Sequence, residues 1–390
     1  MSTPASPPLA GITVLEIGVF MAGPFATMQL ADLGARVIKI ENPVDGDPVR
    51  AAGPFVEGES APFARLNRNK ESVALDLKSE EGRKALWLLL ESADVLIENL
   101  RPKALSRLGF GYEAVRERFP ALVYASGSGW GQDGPLADLA GLDIMAQARS
   151  GIMSVTGYPG MPPVKVGVPI CDLTNALYLA LAVTAALHER ARSGKGQHID
   201  VSLLESGVSF GVWEAGAYFT EGTVTGPLGS AHAHQAPYQA VQCADGAATV
   251  GAITQRLWLK LTDALGLTHL AEDPRFLTSP DRVRNRETLI EYIEQVTSTL
   301  TVDDVVSRMS AAGVPAAPIL SYDQVFTDEH LRERGFFWDA THPRMGQVRQ
   351  IGSPMRFSRT PTVRGHAGPS LGADTDSVLA ELATDRTVAR

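Results

Sequence analysis

The sequence predicts an α/β protein: an open parallel sheet in a larger N-terminal domain, then a smaller α+β domain. Three observations carry this. Within residues 12–41, a β-branched run, an apolar helix and a second β-branched run make a βαβ unit. Strand-like and helix-like stretches then keep alternating to about Ser202. After about Tyr218 the character changes: a Gly-rich connector over 220–229 leads to a hairpin with Asp245-Gly246 at its turn. A chain of 390 residues exceeds one ordinary core, which also favours two domains.

The elements follow in order. Ile12–Ile17 is a buried strand. Gly23-Pro24 opens a helix at a position where the missing proline N–H costs nothing, and Gly34 closes it. Arg36–Glu41 is a second strand, and 42–48 is a loop of turn residues. Ser72–Leu77 reads as a strand, Glu80–Ser92 as an amphipathic helix, Val95–Glu98 as a strand, and Asn99–Pro102 leads into a short helix. Leu122–Ser126 and Gln197–Ser202 are further strands, with a long apolar helix from about Leu173 to His188 between them. Leu203 begins another helix. In the second domain, strands at 237–242 and 248–252 precede helices near 256–265, 284–299 and 301–312. From Thr327 the chain is loop-rich, with β-like pieces at Gln347–Ile351 and Met355–Phe357 and a terminal helix around Asp376–Leu382. The expected division is a large domain over 1–205, a linker over 206–228, a small domain over 229–330, and a return segment over 331–390 packing on the large domain.

Composition narrows the function classes. A net charge of −9 with no Lys/Arg-rich block argues against a nucleic-acid partner. Two cysteines, Cys171 and Cys243, make neither a disulfide framework nor a metal set, which fits a reducing cytoplasm. The first ten residues lack a basic start and an apolar core, so they read as a flexible arm and not a signal peptide. The apolar helix read over 173–188 is too short to span a bilayer, so no membrane is expected.

In open α/β sheets ligands bind at the carboxyl ends of the strands. The loops at Met21–Pro24, Asn42, Asn99–Arg101 and Ser126–Trp130 lie there. Asp172 stands at the start of the long helix. It reads either as an N-cap or as a carboxylate kept ionised by the helix dipole for nucleophilic attack. Cys171 is a rival nucleophile or an inert core thiol. Gly129–Gly134 spells G-x-G-x-x-G, but Pro135 follows and no apolar helix opens, so a flexible loop, or a mobile cover, fits better than a dinucleotide site. His232 and His234 lack a completing ligand set, so no metal is expected. Arg282, Arg284 and Arg286 read as an exposed helix start or a phosphate patch, and Lys39, Lys78, Arg101, Lys103 and Arg107 as solvated faces or phosphate grips. Spacing alone assigns no reaction.

Several ordered stretches resemble the family III CoA-transferases, the group that includes formyl-CoA transferase, carnitine CoA-transferase and the α-methylacyl-CoA racemases. They are Leu9–Glu16, Ala22-Gly-Pro24, Leu33–Glu41, Asn67–Lys78, Ala93–Asn99, Gly141–Gln147, Gly167–Asp172 and Gly194–Gln197. Together they cover most of the first 200 residues. Weaker matches follow at 236–239, 273–276 and 313–318. The resemblance implies a Rossmann-like large domain, a small domain, and a ring-shaped subunit interlocked with a second copy as a homodimer. It implies Asp172 as nucleophile, attacking a thioester to give a mixed anhydride and then an aspartyl-CoA thioester. It implies CoA or acyl-CoA as substrate, with no permanently bound cofactor. The matching CoA contacts are Ala22, Leu75, Lys78, Asn99, Leu100, Arg101 and Arg107, with Lys78 and the arginines on phosphates. Backbone N–H groups at the helix start and in the 127–131 loop are the expected oxyanion donors.

Departures from the family pattern refine this. Asn42 stands where relatives often carry a base, so a different hold on the adenine end is expected. Met21 replaces the Gln of the formyl-CoA transferases, and their extra Gly-rich loop is missing, which disfavours formyl-CoA and oxalate. Leu142 stands where racemases carry a His; a two-base proton transfer needs a group on each face, and Leu supplies none. A transferase using succinyl-CoA or a similar short dicarboxylyl donor is the expected activity. A racemase with an unusual second base and a non-catalytic acyl-CoA binder are the alternatives.

Overall fold

A computed structural model describes residues 6–388. Residues 1–5 of the predicted N-terminal arm lie outside the described residues. The rest of that arm is anchored, because Leu9 N–H donates to Leu33 O at 2.9 Å and Leu9 packs on the core. The chain forms two compact units. One comprises the residues up to 153, 165–223 and those from 330 on; the other comprises 154–164 and 224–329.

The larger unit is built on six parallel strands: β1 (Thr13–Ile17), β2 (Arg36–Glu41), β3 (Lys70–Ala74), β4 (Val95–Glu98), β5 (Val123–Ser128) and β6 (His198–Ser202), in the order β3-β2-β1-β4-β5-β6. The chain leaves β1 in one direction and returns to its other side with β4. That reversal opens a crevice at the carboxyl ends of β1 and β4. One face of the sheet is covered by α1 (Ala22–Asp32) and by the long helix named below, through Val14, Val37, Val95, Ile97, Val123 and Ala125. The other face is covered by α2 (Glu80–Ser92), whose Leu86, Leu89 and Leu90 are buried against Leu15, Ile38 and Leu96.

Sequence and structure agree on α2 and β4 and differ elsewhere for physical reasons. β3 starts at Lys70, two residues earlier than the apolar pattern indicates, and stops at Ala74. Lys70 and Ser72 are buried polar residues that interrupt the hydrophobic signal. A short helix α3 (Asp143–Arg149) follows β5. The long helix α4 runs from Ile170 to Ser193, so Asp172 is not its N-cap; Pro169 is. At 24 residues it is long and apolar enough to cross a membrane by length and composition, so the shortness argued from sequence does not hold. Its inner face, with Ala176, Leu179 and Val183, packs instead against the sheet and α1, while Cys171 packs with Ala146 and Leu203. After β6 come α5 (Leu203–Val208) and α6 (Val212–Glu221).

The smaller unit pairs β7 (Tyr238–Gln242) with β8 (Ala247–Gly251) as an antiparallel hairpin, and β8 with β9 (Ala316–Pro318). Trp258, Leu261, Phe276, Leu289 and Ile293 form its core. Arg282 is not an exposed helix residue. It is 1% exposed and donates to Ala236 O at 2.9 Å and Phe276 O at 2.9 Å. Arg284 pairs with Asp281, and Arg286 donates to His232 O, so the three arginines are engaged within the protein and form no phosphate patch. The C-terminal part of the larger unit carries a hairpin, β10 (Phe337–His342) with β11 (Gly346–Ile351), which the sequence reading left as loop on its first strand. Met355–Phe357 forms no strand. The last helix, Thr375–Val388, follows Asp374, whose carboxylate accepts from Ser72 N at the edge of the large sheet.

Candidate active site

Asp172 lies in the first turn of α4, half-buried, one residue after the fully buried Cys171. The free N–H groups of that turn are taken by Asp143, the first residue of α3. Its Oδ1 accepts from Cys171 N at 2.9 Å and Asp172 N at 3.3 Å. Gln147, one turn later, donates through Nε2 to Asp143 Oδ2 at 2.6 Å and accepts from Val166 N at 2.9 Å. Asp143 and Gln147 therefore tie the entry segment and the start of α4 to α3. The stabilisation that a helix N-terminus offers an anion goes to Asp143.

This corrects two expectations. Asp172 is not kept ionised by the dipole. Burial, with the Asp143 carboxylate beside it, raises its carboxyl to about 7. Nor are the first N–H groups of α4 free as oxyanion donors, since Ile170 and Leu173 also bond to Val168 O and Pro169 O. Among the described residues, nothing donates to the Asp172 carboxylate, which leaves its oxygens available to a ligand. Cys171 does not compete as a nucleophile: burial and Asp143 push its thiol up to about 11, so it stays protonated.

A cleft of about 240 Å³ opens at the carboxyl ends of β1 to β4. Its walls are Gly18 and Val19 after β1, Asn42 and Asp47 after β2, Leu75 and Lys78 after β3, and Leu100 and Leu108 after β4. Leu75, Lys78 and Leu100 of the expected CoA contacts thus share one cavity with Asn42. Asn99 clamps the wall: its Oδ1 accepts from Val19 N at 2.9 Å and its Nδ2 donates to Val19 O at 2.9 Å. Gly18 and Gly23 are required there, since a Cβ on either would fall within 3 Å of Asn99 Oδ1. Ala22 is buried as the first residue of α1. Arg101 is exposed and turns toward a smaller cavity beside the cleft, and Arg107 is exposed in the last turn of the short helix Ala104–Arg107; neither lines the cleft itself.

Gly127 on β5 packs between α4 and Asn99. A Cβ on Gly127 would lie 3.1 Å from Asn175 Oδ1, 3.0 Å from Leu179 and 3.4 Å from Asn99 Cβ. Asn175 is one turn after Asp172 on α4. The Gly129–Gly134 loop is not a free cover. Gly131 N–H donates to Ser128 Oγ, Gln132 N–H to Asp200 Oδ2 and Trp130 Nε1–H to Ala140 O.

Lys39 is not a phosphate grip. It is 1% exposed beneath the cleft, where its Nζ bonds Glu16 Oε1 at 2.6 Å, Asp47 Oδ2 at 2.9 Å and Gly18 O at 2.8 Å. Lys70 Nζ meets Glu16 Oε2 at 2.8 Å, and Asp47 Oδ1 holds Phe20 N–H at 3.1 Å. This buried ion cluster sets the Gly18–Phe20 wall. Burial alone would raise Glu16, but Lys39 and Lys70 outweigh it and hold the carboxyl at about 2. Lys78 stays exposed at the mouth. Among the described residues, no cluster of three or more His, Cys, Asp or Glu is placed to hold a metal ion.

Sequence reading assigned no role to Asp143, Gln147, Glu16 or Lys70, although all stand in the stretches that carry the resemblance. Beyond the Gln147–Asp143 bond within α3, the partners that give them these roles lie 19–54 residues away, where local periodicity carries no signal.

Comparison with known proteins bears on what this site belongs to. A family model described as CoA-transferase family III matches residues 9–375. The chain is 38% identical to a succinate–glutarate CoA-transferase of Agrobacterium fabrum, over 97% of this chain and 96% of that one. It is 37% identical to an acetyl-CoA:oxalate CoA-transferase of Acetobacter aceti, over 92% and 91%. The fold matches the crystal structure of a CAIB/BAIF family protein from Brucella suis with a TM-score of 0.88 and 37% identity, over 97% of this chain and 100% of that one. With the parallel sheet, the switch-point cleft and the extent of these matches, the chain belongs to the family III CoA-transferases and is an enzyme of that family.

Proposed function

We propose that the protein moves CoA from an acyl-CoA, succinyl-CoA or a similar short dicarboxylyl donor, to a carboxylic acid, with Asp172 as the covalent relay. The observation that carries this is the Asp172 carboxyl, half-buried, unbonded and raised to about 7, in the first turn of the helix that packs with Asn99 across Gly127. A carboxylate of raised basicity is a better nucleophile than an ordinary aspartate, while about half of it remains ionised near neutral pH. The names of relatives support CoA transfer between acyl-CoA and acid, with glutarate and oxalate among the acids those names print.

The steps balance without a cofactor. An Asp172 oxygen attacks the donor thioester carbon, the C–S bond breaks, and CoA leaves as thiolate. The thiolate then attacks Asp172 Cγ in the mixed anhydride, expelling the donor acid and leaving an aspartyl-CoA thioester. The acceptor carboxylate attacks that Cγ and releases the thiolate, which takes the acceptor acyl group and frees Asp172. Each anhydride keeps the free energy of the thioester within a covalent bond. Lys78 at the cleft mouth and Arg101 beside it are the cations available to CoA phosphates, Leu75 and Leu100 pack on its apolar parts, and Ala22, Asn99 and Arg107 complete the set. Oxyanion stabilisation falls to the 127–131 loop, because Asp143 occupies the helix N–H groups.

We read the working unit as a homodimer in the cytoplasm. Leu177 and Leu181 on the outer face of α4 are 52% and 63% exposed, and Val212, Trp213 and Phe219 of α6 are 71%, 69% and 83% exposed. An apolar surface of that extent is expected to be covered. An α-methylacyl-CoA racemase is disfavoured because Leu142, beside Asp143, has no proton to give. Asp172→Ala separates the readings. It should abolish transfer between succinyl-CoA and a panel of acids with the fold retained. Persistent turnover, or deuterium uptake at the α-carbon of a 2-methylacyl-CoA in heavy water, would overturn the transferase reading.

A further inference from the structure

Beside the CoA cleft lies a second, smaller polar cavity that the reaction above does not use. Its walls include Glu98, Ser126, His198, Tyr112, Gln132 and Arg101. Glu98 ends β4 and is 5% exposed, Ser126 is 1% exposed on β5, and His198 begins β6. Glu98 Oε2 accepts from Leu100 N–H at 2.9 Å, closing the turn that carries Asn99, Leu100 and Arg101. Ser126 stands in register beside Glu98 on the neighbouring strand, and Ser126 Oγ lies 3.0 Å from His198 Nε2.

His198 stacks on Tyr112 with ring centroids 4.9 Å apart and meets Tyr124 edge-on at 5.5 Å, which fixes its ring. Glu98 thus accepts from Leu100 N–H on the turn side, with Ser126 and His198 beside it on the next two strands. The Leu100 bond ties Glu98 to the turn whose Leu100 lines the cleft and whose Asn99 clamps the opposite wall at Val19.

We propose that Glu98 is a positioning residue for CoA: buried beside Ser126 and bonded to Leu100 N–H, it sets the Asn99–Arg101 turn in the geometry that grips the nucleotide. It rests on reading the cleft as the CoA site. Glu98 touches no reacting atom, so its effect belongs to binding and not to the covalent steps.

The test is calorimetric titration of the full-length protein with free CoA, together with steady-state transfer from succinyl-CoA, for Glu98→Ala, Glu98→Gln, Ser126→Ala and Lys78→Ala. Loss of a charge-assisted hydrogen bond predicts that Glu98→Ala weakens CoA roughly tenfold or more and raises KM for the donor in parallel, with kcat within about threefold. Glu98→Gln keeps an oxygen for Leu100 N–H and should restore affinity to within a few-fold. Ser126→Ala should weaken CoA by a smaller factor with kcat kept. If Glu98→Ala does not fold, the glutamine and serine variants decide, and unchanged affinity in Ser126→Ala then overturns the proposal. Unchanged CoA affinity in folded Glu98→Ala, while Lys78→Ala weakens it, overturns the positioning role alone. Unchanged affinity in Lys78→Ala as well overturns the cleft reading, and the inference with it. A fall in kcat equal to the rise in KM, or no rescue by glutamine, also counts against it.

Discussion

Asp143→Asn probes the electrostatics of the proposed nucleophile. Burial is the largest cause of the raised Asp172 carboxyl, and the Asp143 charge is the next. The sign is upward, so the ionised, attacking form is lost as pH falls through about 7. One unit below that value only about a tenth of Asp172 is ionised, and two units below about a hundredth. Wild-type kcat/KM for the acyl-CoA donor should therefore fall about tenfold per unit on the acid side. Asparagine removes the neighbouring charge and keeps an oxygen for Cys171 N–H and Asp172 N–H. A single like charge in contact displaces a carboxyl by roughly one unit or more. The acid limb of the variant should move down by about that amount, making it several-fold more active relative to its own plateau at pH 6. The new amide also faces Gln147 Nε2, which donates to Asp143 Oδ2 in the wild type. A stability loss of about 1–2 kcal/mol should accompany the shift. The assay is kcat/KM for succinyl-CoA from pH 5 to 8.5 in both proteins. Glu98, which burial raises to about 7, is common to both, so the displacement is the readout. A limb that stays in place or moves up would refute the reasoning.

Three further outcomes are expected. Asp172→Asn should stabilise the protein more at pH 8 than at pH 5. An aspartate raised in the folded state costs stability when ionised, fully above about 7 and progressively less as pH falls toward its ordinary 3.8; equal melting-temperature gains at both pH values would contradict this. Glu16→Gln should cost about 3–5 kcal/mol in urea unfolding at pH 7, because it leaves Lys70 a buried cation without its carboxylate and Lys39 with Asp47 alone. In the wild type the Glu16 contribution is present above about pH 4.5 and lost as pH falls toward about 2; an unchanged urea midpoint in the variant would count against it. Lys78→Ala should weaken CoA several-fold at low ionic strength and by less at about 0.5 M salt, as an exposed cation on a phosphate would; a salt-independent loss points to packing instead.

How far the sequence carries the account can be read from particular residues. The helix Glu80–Ser92 and the strand Val95–Glu98 were legible to the residue, because an N-capping Ser79 and a clean apolar pattern mark them. The start of the long helix was not. What takes its first N–H groups is Asp143, 28 and 29 residues from the two it bonds, and no local spacing reveals such a partner. The same non-locality hid the ion cluster: Lys39 and Lys70 look like surface charges until Glu16 is brought between them. Arg282 misled for a related reason, since a helix-start arginine gives no sign that carbonyls at 236 and 276 will need it. Leu75, Lys78 and Leu100 came from resemblance and meet in one cleft, whereas Arg101 and Arg107 lie to its side. The chemistry of Asp172 was the least legible feature. Its position suggested an aspartate held ionised, and only its burial in the folded chain, with Asp143 beside it, reverses that sign.

The central claim is that Asp172 carries CoA covalently, and intact-mass spectrometry tests it most directly. The protein is mixed with succinyl-CoA in the absence of an acceptor acid, measured whole, and then digested for peptide mapping. The account predicts an adduct of CoA mass, less water, on the peptide containing Asp172, discharged by an acceptor acid and absent in Asp172→Ala. Measurable acyl-CoA binding with no adduct from any of several donors, or an adduct that persists in Asp172→Ala, would contradict it.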